Sequence, residues 1–150
     1  MKIRTATTAD LATVERLLSA NKLPLDGVRA NFSSFVVAEG NQGIVGAIGL
    51  EKFGSVALLR SAVVAPEHRG SGIGRRLVEH LLVRAEESGI DEIYLLTTTA
   101  EEYFPRFGFT VTSRSAVPEA LKASAEFQGA CPDTAVVMTR RIGVAGRLPA

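Results

Sequence analysis

The sequence predicts an α/β domain built around a mixed sheet, and three observations predict it. Apolar runs of strand length, separated by glycine turns, follow one another in the first half of the chain. A strand, a glycine-rich turn, an amphipathic helix and another strand then form a crossover unit. Further short strands and helical segments close the pattern, which is that of a sheet with helices packed on it.

Taken in order, "MKIR" reads as a short strand followed by a Thr7/Thr8 helix cap rather than as a secretion signal. In "DLATVERLLSANKL", Leu11, Val14, Leu17 and Leu18 recur at helical spacing. A second short helix, "LDGVRANF", follows Pro24. The runs "SSFVVAEG", "GIVGAIGLEKFG" and "SVALLRSAVVAP" are strands. Next, Ile73, Leu77, Val78, Leu81, Leu82 and Ala85 form one apolar helix face, with Gly89 as its stop. "EIYLLTTT" is another strand, and "AEEYFPRF" a short helix distorted by Pro105. "GFTVTSR" and "DTAVVMTRR" are two strands bracketing a helical "PEALKASAEF". The tail after Arg141 carries little pattern.

Composition narrows the function classes. The 150 residues, 46% hydrophobic, suffice for one domain, 1–141, with its own core. Seventeen basic against sixteen acidic residues, net +1, leave no electrostatic footprint for nucleic acid or an anionic membrane. No apolar run is long enough to cross a bilayer. One cysteine, Cys131, excludes an internal disulfide, and two histidines, His68 and His80, argue against a zinc cage and leave no metal expected. The expectation is a cytoplasmic protein, a monomer or a homodimer paired through a sheet edge left open by the last strand.

The stretch "VVAPEHRGSGIGRRLVEHLL" carries the chemistry. Gly70, Gly72 and Gly74 alternate, and Arg69, Ser71, Arg75 and Arg76 surround them with donors. Glycines let backbone N–H groups approach an anion at a helix start. A dinucleotide turn would want glycine at position 75, where Arg75 stands. A nucleotide-triphosphate loop would want Gly-Lys-Ser/Thr, and Arg75-Arg76 follows Gly74. Both common phosphate loops fail, and a turn whose glycines merely permit tight packing remains the plain alternative.

The Arg-x-x-Gly-x-Gly spacing of Arg69, Gly72 and Gly74, after a strand ending Val-x-Pro, resembles the coenzyme-A pyrophosphate loop of the GNAT N-acetyltransferase superfamily. The resemblance runs from Lys2 to Arg141 and implies a mixed, mostly antiparallel sheet of six to seven strands flanked by helices. It implies acetyl-CoA as co-substrate, held by the strand end Ala62, Val63 and Val64 and by Arg69, Gly70, Ser71, Gly72, Ile73, Gly74 and Arg75. "TTTAEEYFPRFGF" resembles the second cofactor segment, with Thr97 where asparagine is common, Ala100 at the small position and Gly108-Phe109 as its ending. More narrowly, "LLRSAVVAPEHRGSGIG", "YLLTTTAEEYFPRFGF" and "EFQGACPDTAVVM" look like the small acetyltransferases of arsenic-resistance operons.

Acetyl transfer requires a deprotonated amine, an oxyanion donor, a proton for the departing thiolate and fixed substrates. A backbone N–H near Val63 and Val64 supplies the oxyanion donor. Many relatives place tyrosine four residues before the glycine of Gly-Phe, where this chain has Phe104. Tyr103 is the neighbouring candidate acid, though one residue on a helix turns about 100° away; an aromatic packed on the next strand is its alternative. A thiol with pKa about 8.5 leaves acceptably without a dedicated acid. Glu51, Glu126 and His68 are candidate bases, Glu51 foremost. His80 sits on the polar side of the long helix.

Arg60 within "ALLRSAVV" is either a carboxylate clamp on the acceptor or an arginine with its head in water. Ser61 points to the opposite face if the strand is regular. Glu126, Phe127 and Cys131 line the acceptor pocket or simply pack under a loop. One thiol cannot capture trivalent arsenic, so an arsenic link would run through an amine-bearing organoarsenical. The expected function is acetylation of a small-molecule amine such as an amino-acid-like toxin or an organoarsenical. A protein N-terminus or lysine as acceptor, and a coenzyme-binding module without turnover, are the alternatives.

Overall fold

The structure, a computed structural model, describes residues 1–142. Seven strands form a mixed sheet: β1 (Lys2–Thr5), β2 (Phe35–Gly40), β3 (Gly43–Phe53), β4 (Val56–Val64), β5 (Glu92–Thr97), β6 (Thr110–Thr112) and β7 (Val136–Arg141). Their order is β1-β2-β3-β4-β5-β7-β6. Two α-helices, α1 (Leu11–Ala20) and α2 (Ile73–Glu87), accompany them. This is the α/β class expected. The last strand, β7, lies between β5 and β6, so the open edges belong to β1 and β6 and not to the last strand. The described chain divides into two compact units, Met1–Glu51 with Leu59–Leu81, and Lys52–Leu58 with Leu82 onward.

In the first unit β2 pairs antiparallel with β1 and with β3, and its register slips between Ala38 and Glu39. Phe35 to Ala38 are all buried, the mark of a strand covered on both faces. Gly49 lies opposite Phe35 in the register, and the Phe35 ring occupies the space a Gly49 Cβ would need. Val14 and Leu18, one turn apart on α1, have no exposure and join Val28, Phe32, Phe35, Val37, Ala47 and Val63 in the core. The segment "LDGVRANF" is less regular than expected. Gly27 is left-handed at φ 81°, and only Arg29–Ser34 coil, as a 3-10 helix.

The entry to α1 is fixed by charge. Asp10 accepts from the Thr7 N–H at 2.7 Å and from both terminal nitrogens of Arg4, at 2.8 and 3.0 Å. Arg4 Nε reaches Glu39 at 2.9 Å, beside the register slip of β2. Thr7 thus precedes the helical turn as the sequence suggests.

In the second unit β5 and β7 pair antiparallel over their whole length, and β6 adds to β7 from Thr110↔Thr139 to Thr112↔Val137. α2 ends where Gly89 was expected to stop it. Gly89 is left-handed at φ 79°, its N–H bonds Glu86, and the Ile90 N–H bonds Ala85 at 3.0 Å.

Two further expected helices are not α-helices. "AEEYFPRF" contains only a 3-10 turn, Phe104–Phe107, because Pro105 contributes no donor and left-handed Gly108 closes it. "PEALKASAEF" splits into a 3-10 helix Glu119–Ala123 and a wide turn Glu126–Ala130. Between them Ser124 is extended, and its Oγ accepts from the Glu126 N–H at 3.2 Å, an interaction that competes with the helical ladder. Val117 and Leu121 nevertheless reach a core with Leu58, Tyr94 and Val137. Ile142, the first residue of the expected tail, is 2% exposed and donates to Asp91 at 2.8 Å; the rest of that tail lies outside the described residues.

The Arg4 hydrogen bonds, foremost among the causes, hold the Asp10 carboxyl down from 3.8 to about 2. A carboxyl depressed on folding stabilises the fold above its unfolded value and loses that contribution as pH falls through the folded value. The acid-dependent part is worth ~1–3 kcal/mol. Urea unfolding of wild type and Asp10→Asn at pH 5 and pH 2 should therefore show the stability gap between them shrinking by that amount at the lower pH. A gap that stays constant would remove Asp10 from the acid response.

Candidate active site

Arg60 and Ser61 are consecutive in β4, and a regular strand would send their side chains to opposite faces. Ser61 instead adopts φ 59°, and both residues are buried, at 2% and 7% exposure. The strand is not regular at Ser61, so the condition for opposite faces is not met. The left-handed residue brings its hydroxyl to Arg60, whose Nε donates to Ser61 Oγ at 3.2 Å. Such a conformation costs a serine about 1–2 kcal/mol, so its surroundings must hold it there.

The Arg60 side chain has no solvent exposure, and that of Glu51 has 11%. Nη1 donates to Glu51 Oε1 at 3.1 Å, and Nη2 to the backbone carbonyl of Asp26. Each guanidinium nitrogen thus meets an oxygen: hydroxyl, carboxylate and carbonyl. A buried charge persists only under such conditions. An arginine with its head in water is not what the structure contains. Gly27 completes the enclosure, because a Cβ there would lie 2.7 Å from Arg60 Nη1.

The glycine turn follows directly on β4. Pro66–His68 make one 3-10 turn, begun by the His68 N–H on the Ala65 carbonyl at 2.9 Å. Gly70 and Gly72 are left-handed, at φ 83° and 85°, and Gly74 lies inside α2. A Cβ at Gly70 or Gly72 would meet nothing within 4 Å, so glycine is needed there for backbone conformation and not for packing. That answers the packing alternative for these two positions. The Arg76 N–H opens the helical ladder on the Gly72 carbonyl at 3.1 Å. The N–H groups of Ile73, Gly74 and Arg75 precede it, at the positive end of the helix dipole. Ile73 is 5% exposed and anchors this first turn, whereas Gly70, Ser71, Gly72 and Arg75 are exposed.

Two side chains brace the turn. Ser71 Oγ donates to the His68 carbonyl at 2.6 Å. Arg69 donates through Nε to the Val64 carbonyl at 3.0 Å and through Nη2 to Asn21 Oδ1 at 2.8 Å. Asn21 is oriented for this by its own Nδ2 on Leu17 at 2.8 Å. The sequence offered no signal for Asn21 beyond a helix end, and none for the Asp26 carbonyl. Of the strand-end residues, Ala62 is exposed, Val63 buried and Val64 half-buried. His68 and His80 are both half-buried, on the 3-10 turn and on α2.

In the second unit Thr97 Oγ1 accepts from the Ala100 N–H at 2.9 Å, shaping the turn after β5. Phe104 is 5% exposed and packs edge-on against Phe109 at 5.8 Å. Tyr103 is half-buried, edge-on to Phe104 and Phe107, with the Arg106 guanidinium 5.6 Å from its ring centre. Glu126 is 4% exposed; Phe127 and Cys131 are half-buried. Arg114, not foreseen, stands 6.0 Å from the Phe127 ring and donates to the carbonyls of Pro132, Asp133 and Ala135. This arginine links Phe127, the last residue of the segment that the sequence read as one helix, to the carbonyls of the segment beyond it. Among the described residues no cluster of histidine, cysteine or acidic side chains could hold a metal, and no helix is long and apolar enough to cross a membrane.

Strand, left-handed glycine turn and helix follow one another in the order that the resemblance of the sequence implies. The family model of the acetyltransferase (GNAT) domain matches residues 31–111, more than half the chain, and the chain belongs to that family. The amino-acid acetyltransferase of Neisseria meningitidis is 30% identical over 94 residues, covering 59% of this chain and 21% of that protein. An uncharacterized N-acetyltransferase of Chlorobaculum tepidum is 25% identical over 148 residues, 91% of this chain and 95% of its relative. The N-acetylglutamate synthase of Neisseria gonorrhoeae, crystallised with coenzyme A and N-acetyl-glutamate, shares the fold at TM-score 0.81 and 23% identity, over 94% of this chain and 35% of that one. The chain thus spans about a fifth of the Neisseria meningitidis enzyme and about a third of the synthase.

The Asn21–Arg69 bond joins residues 48 apart in sequence. A double-mutant cycle on Asn21→Ala and Arg69→Ala, read by thermal unfolding and by amide exchange at residues 69–72, should give a coupling of about 0.5–1.5 kcal/mol. Additive effects would show that the brace carries no energy.

Proposed function

We propose that this chain transfers an acetyl group from acetyl-CoA to the amine of a small molecule. The observation that carries the proposal is the turn opening α2. Its two left-handed glycines have open space where a Cβ would stand, and its three leading amides precede the helical ladder. That is a cradle for a pyrophosphate, on a chain whose family model is an acetyltransferase domain. In this reading the amides of residues 69–75 and the Arg75 side chain hold the pyrophosphate, Arg69 and Ser71 bracing the turn from within, and the backbone of Ala62, Val63 and Val64 holds the pantetheine arm. Thr97, Ala100 and Phe104 are cofactor residues on the resemblance of their segment.

The amine nitrogen attacks the thioester carbonyl carbon, the carbon–sulfur bond breaks, and the sulfur leaves as thiolate. Glu51 is proposed to take the proton the amine must lose. Tyr103 is proposed to return one to the thiolate; with Phe104 apolar and buried in the usual tyrosine place, water is the other proton source. Glu126, Phe127 and Cys131 are proposed as acceptor-side residues.

The finer reading is an amino-acid-like acceptor, such as a toxic phosphinate or an amine-bearing organoarsenical. It is supported by the amino-acid acetyltransferases among the relatives and by the three segments that look like arsenic-operon enzymes. A cytoplasmic location goes with it. Phe104 favours one second reading, a coenzyme-binding module without turnover.

Release of coenzyme-A thiol from acetyl-CoA should be measured on the purified chain. The panel should hold amino acids, amino-acid phosphinates and arsonates, polyamines and short peptides. Thiol release with one amino-acid-like member is the expected result. Coenzyme binding with no thiol release on any member would shift the assignment to the non-catalytic module, and release on peptides alone to a protein acceptor.

A further inference from the structure

We infer that Arg60 is a positioning residue. One guanidinium holds the Glu51 carboxylate and the Asp26–Gly27 turn in fixed relation, so acceptor selection does not run through an Arg60–carboxylate contact. The inference rests on the reading of Glu51 as the base of an amine acetylation.

Three elements converge on this side chain. Glu51 belongs to β3, Arg60 and Ser61 to β4, and Asp26 to the connection between α1 and β2. The bond to Asp26 spans 34 residues of sequence and that to Glu51 spans nine. Asp26 is exposed, Val28 two residues on has no exposure, and the turn between them is left-handed at Gly27. The turn is closed from its other side by Asn31, whose Nδ2 and N–H donate to the Gly27 carbonyl at 2.8 and 3.2 Å. Arg60 therefore grips one carbonyl of the turn and Asn31 the next.

The shape of the grip is specific to arginine. Its planar fork sends Nη1 to a carboxylate and Nη2 to a carbonyl at once, while Nε reaches the hydroxyl that the left-handed Ser61 presents. A lysine carries one point of charge and cannot span the three. Gly27 fits the same plan: with a side chain there, Nη1 would have to move, and with it the bond to Glu51. A base acts only where its oxygen meets the amine proton, and a misplacement near 1 Å can cost about 100-fold in rate.

The test uses the full chain and Arg60→Lys, with Arg60→Ala as the variant for rescue by ethylguanidinium ion. Two readouts are taken. The first is steady-state acetylation of the most active amino acid of the panel and of its carboxamide. The second, which needs no acceptor, is hydrogen exchange of the Val28 and Asn31 amides, bonded to Leu25 and to Gly27 and Val28 respectively. Positioning predicts a kcat about 100-fold lower in Arg60→Lys for acid and amide alike, with KM for either amine changed less than about threefold. It predicts faster exchange at Val28 and Asn31, and restoration of rate and protection in Arg60→Ala by ethylguanidinium. A rise in KM confined to the carboxylate-bearing acceptor, with exchange unchanged, would make Arg60 the acceptor's clamp and overturn the inference. If the wild-type chain releases no thiol with any amine, the acetylation reading fails. The exchange data then still decide whether Arg60 holds the turn: unchanged protection in both variants overturns the inference.

Discussion

A guanidinium with no solvent exposure is the most demanding group in the first unit. Removing a charge of that size from water costs several kcal/mol even after relaxation, and loss of one partner of such a pair typically costs about 3–5 kcal/mol. The chain meets that demand with oxygens from three places, and each imposes something on the backbone. Glu51 must sit where β3 can present its carboxylate. Ser61 must turn left-handed to present its hydroxyl. The α1–β2 connection must bring the Asp26 carbonyl inward, which leaves room only for glycine at the next position. The left-handed Ser61, the inward Asp26 carbonyl and the glycine that follows it are therefore linked consequences of one buried charge.

The glycine turn follows a different logic. It is exposed, and its conformation comes from two left-handed glycines and not from enclosure. Its bracing uses neutral acceptors, the Val64 and His68 carbonyls and the Asn21 amide oxygen. Rigidity on the protein side combines with space on the ligand side. Such a loop can stay open to a phosphate without being collapsed by an internal carboxylate.

The sequence made the strands and α2 legible because apolar periodicity and glycine punctuation act locally. Gly89 was readable as a helix stop, and Gly70 and Gly72 as turn glycines, for the same reason. The failures are equally physical. "PEALKASAEF" has helical composition, yet Ser124 diverts its hydroxyl to the backbone and Arg114 gathers three carbonyls of the segment beyond. "AEEYFPRF" lost its helix to Pro105 and Gly108. Arg60 stood out as unusual in an apolar strand, but its partners come from a carbonyl far away in sequence and from a neighbour in a conformation serine rarely adopts. No pattern along the chain announces either. The brace of Arg69 on Asn21 was hidden likewise, since a helix-ending asparagine is ordinarily explained by the helix alone.

The two charge arrangements bear on how a nearly neutral chain would hold the pyrophosphate proposed for its glycine turn. With a net charge of +1 there is little long-range field to steer an anion, and charges more than about 8 Å apart are screened at physiological salt. Selection must happen at contact. Arg60, the deepest cation of the first unit, has its charge balanced by Glu51 and adds little to that contact. Arg69 is exposed but directed at oxygens of the chain. What remains at the turn is a set of amide N–H groups and the helix dipole, with Arg75 and Arg76 exposed beside them. Dipoles fixed by the backbone do not have to be ordered when a ligand arrives, whereas long side chains do. A turn of this kind would discriminate by shape and hydrogen-bond geometry more than by charge, as suits the proposed ligand, whose pyrophosphate is only one part of a longer chain to be held.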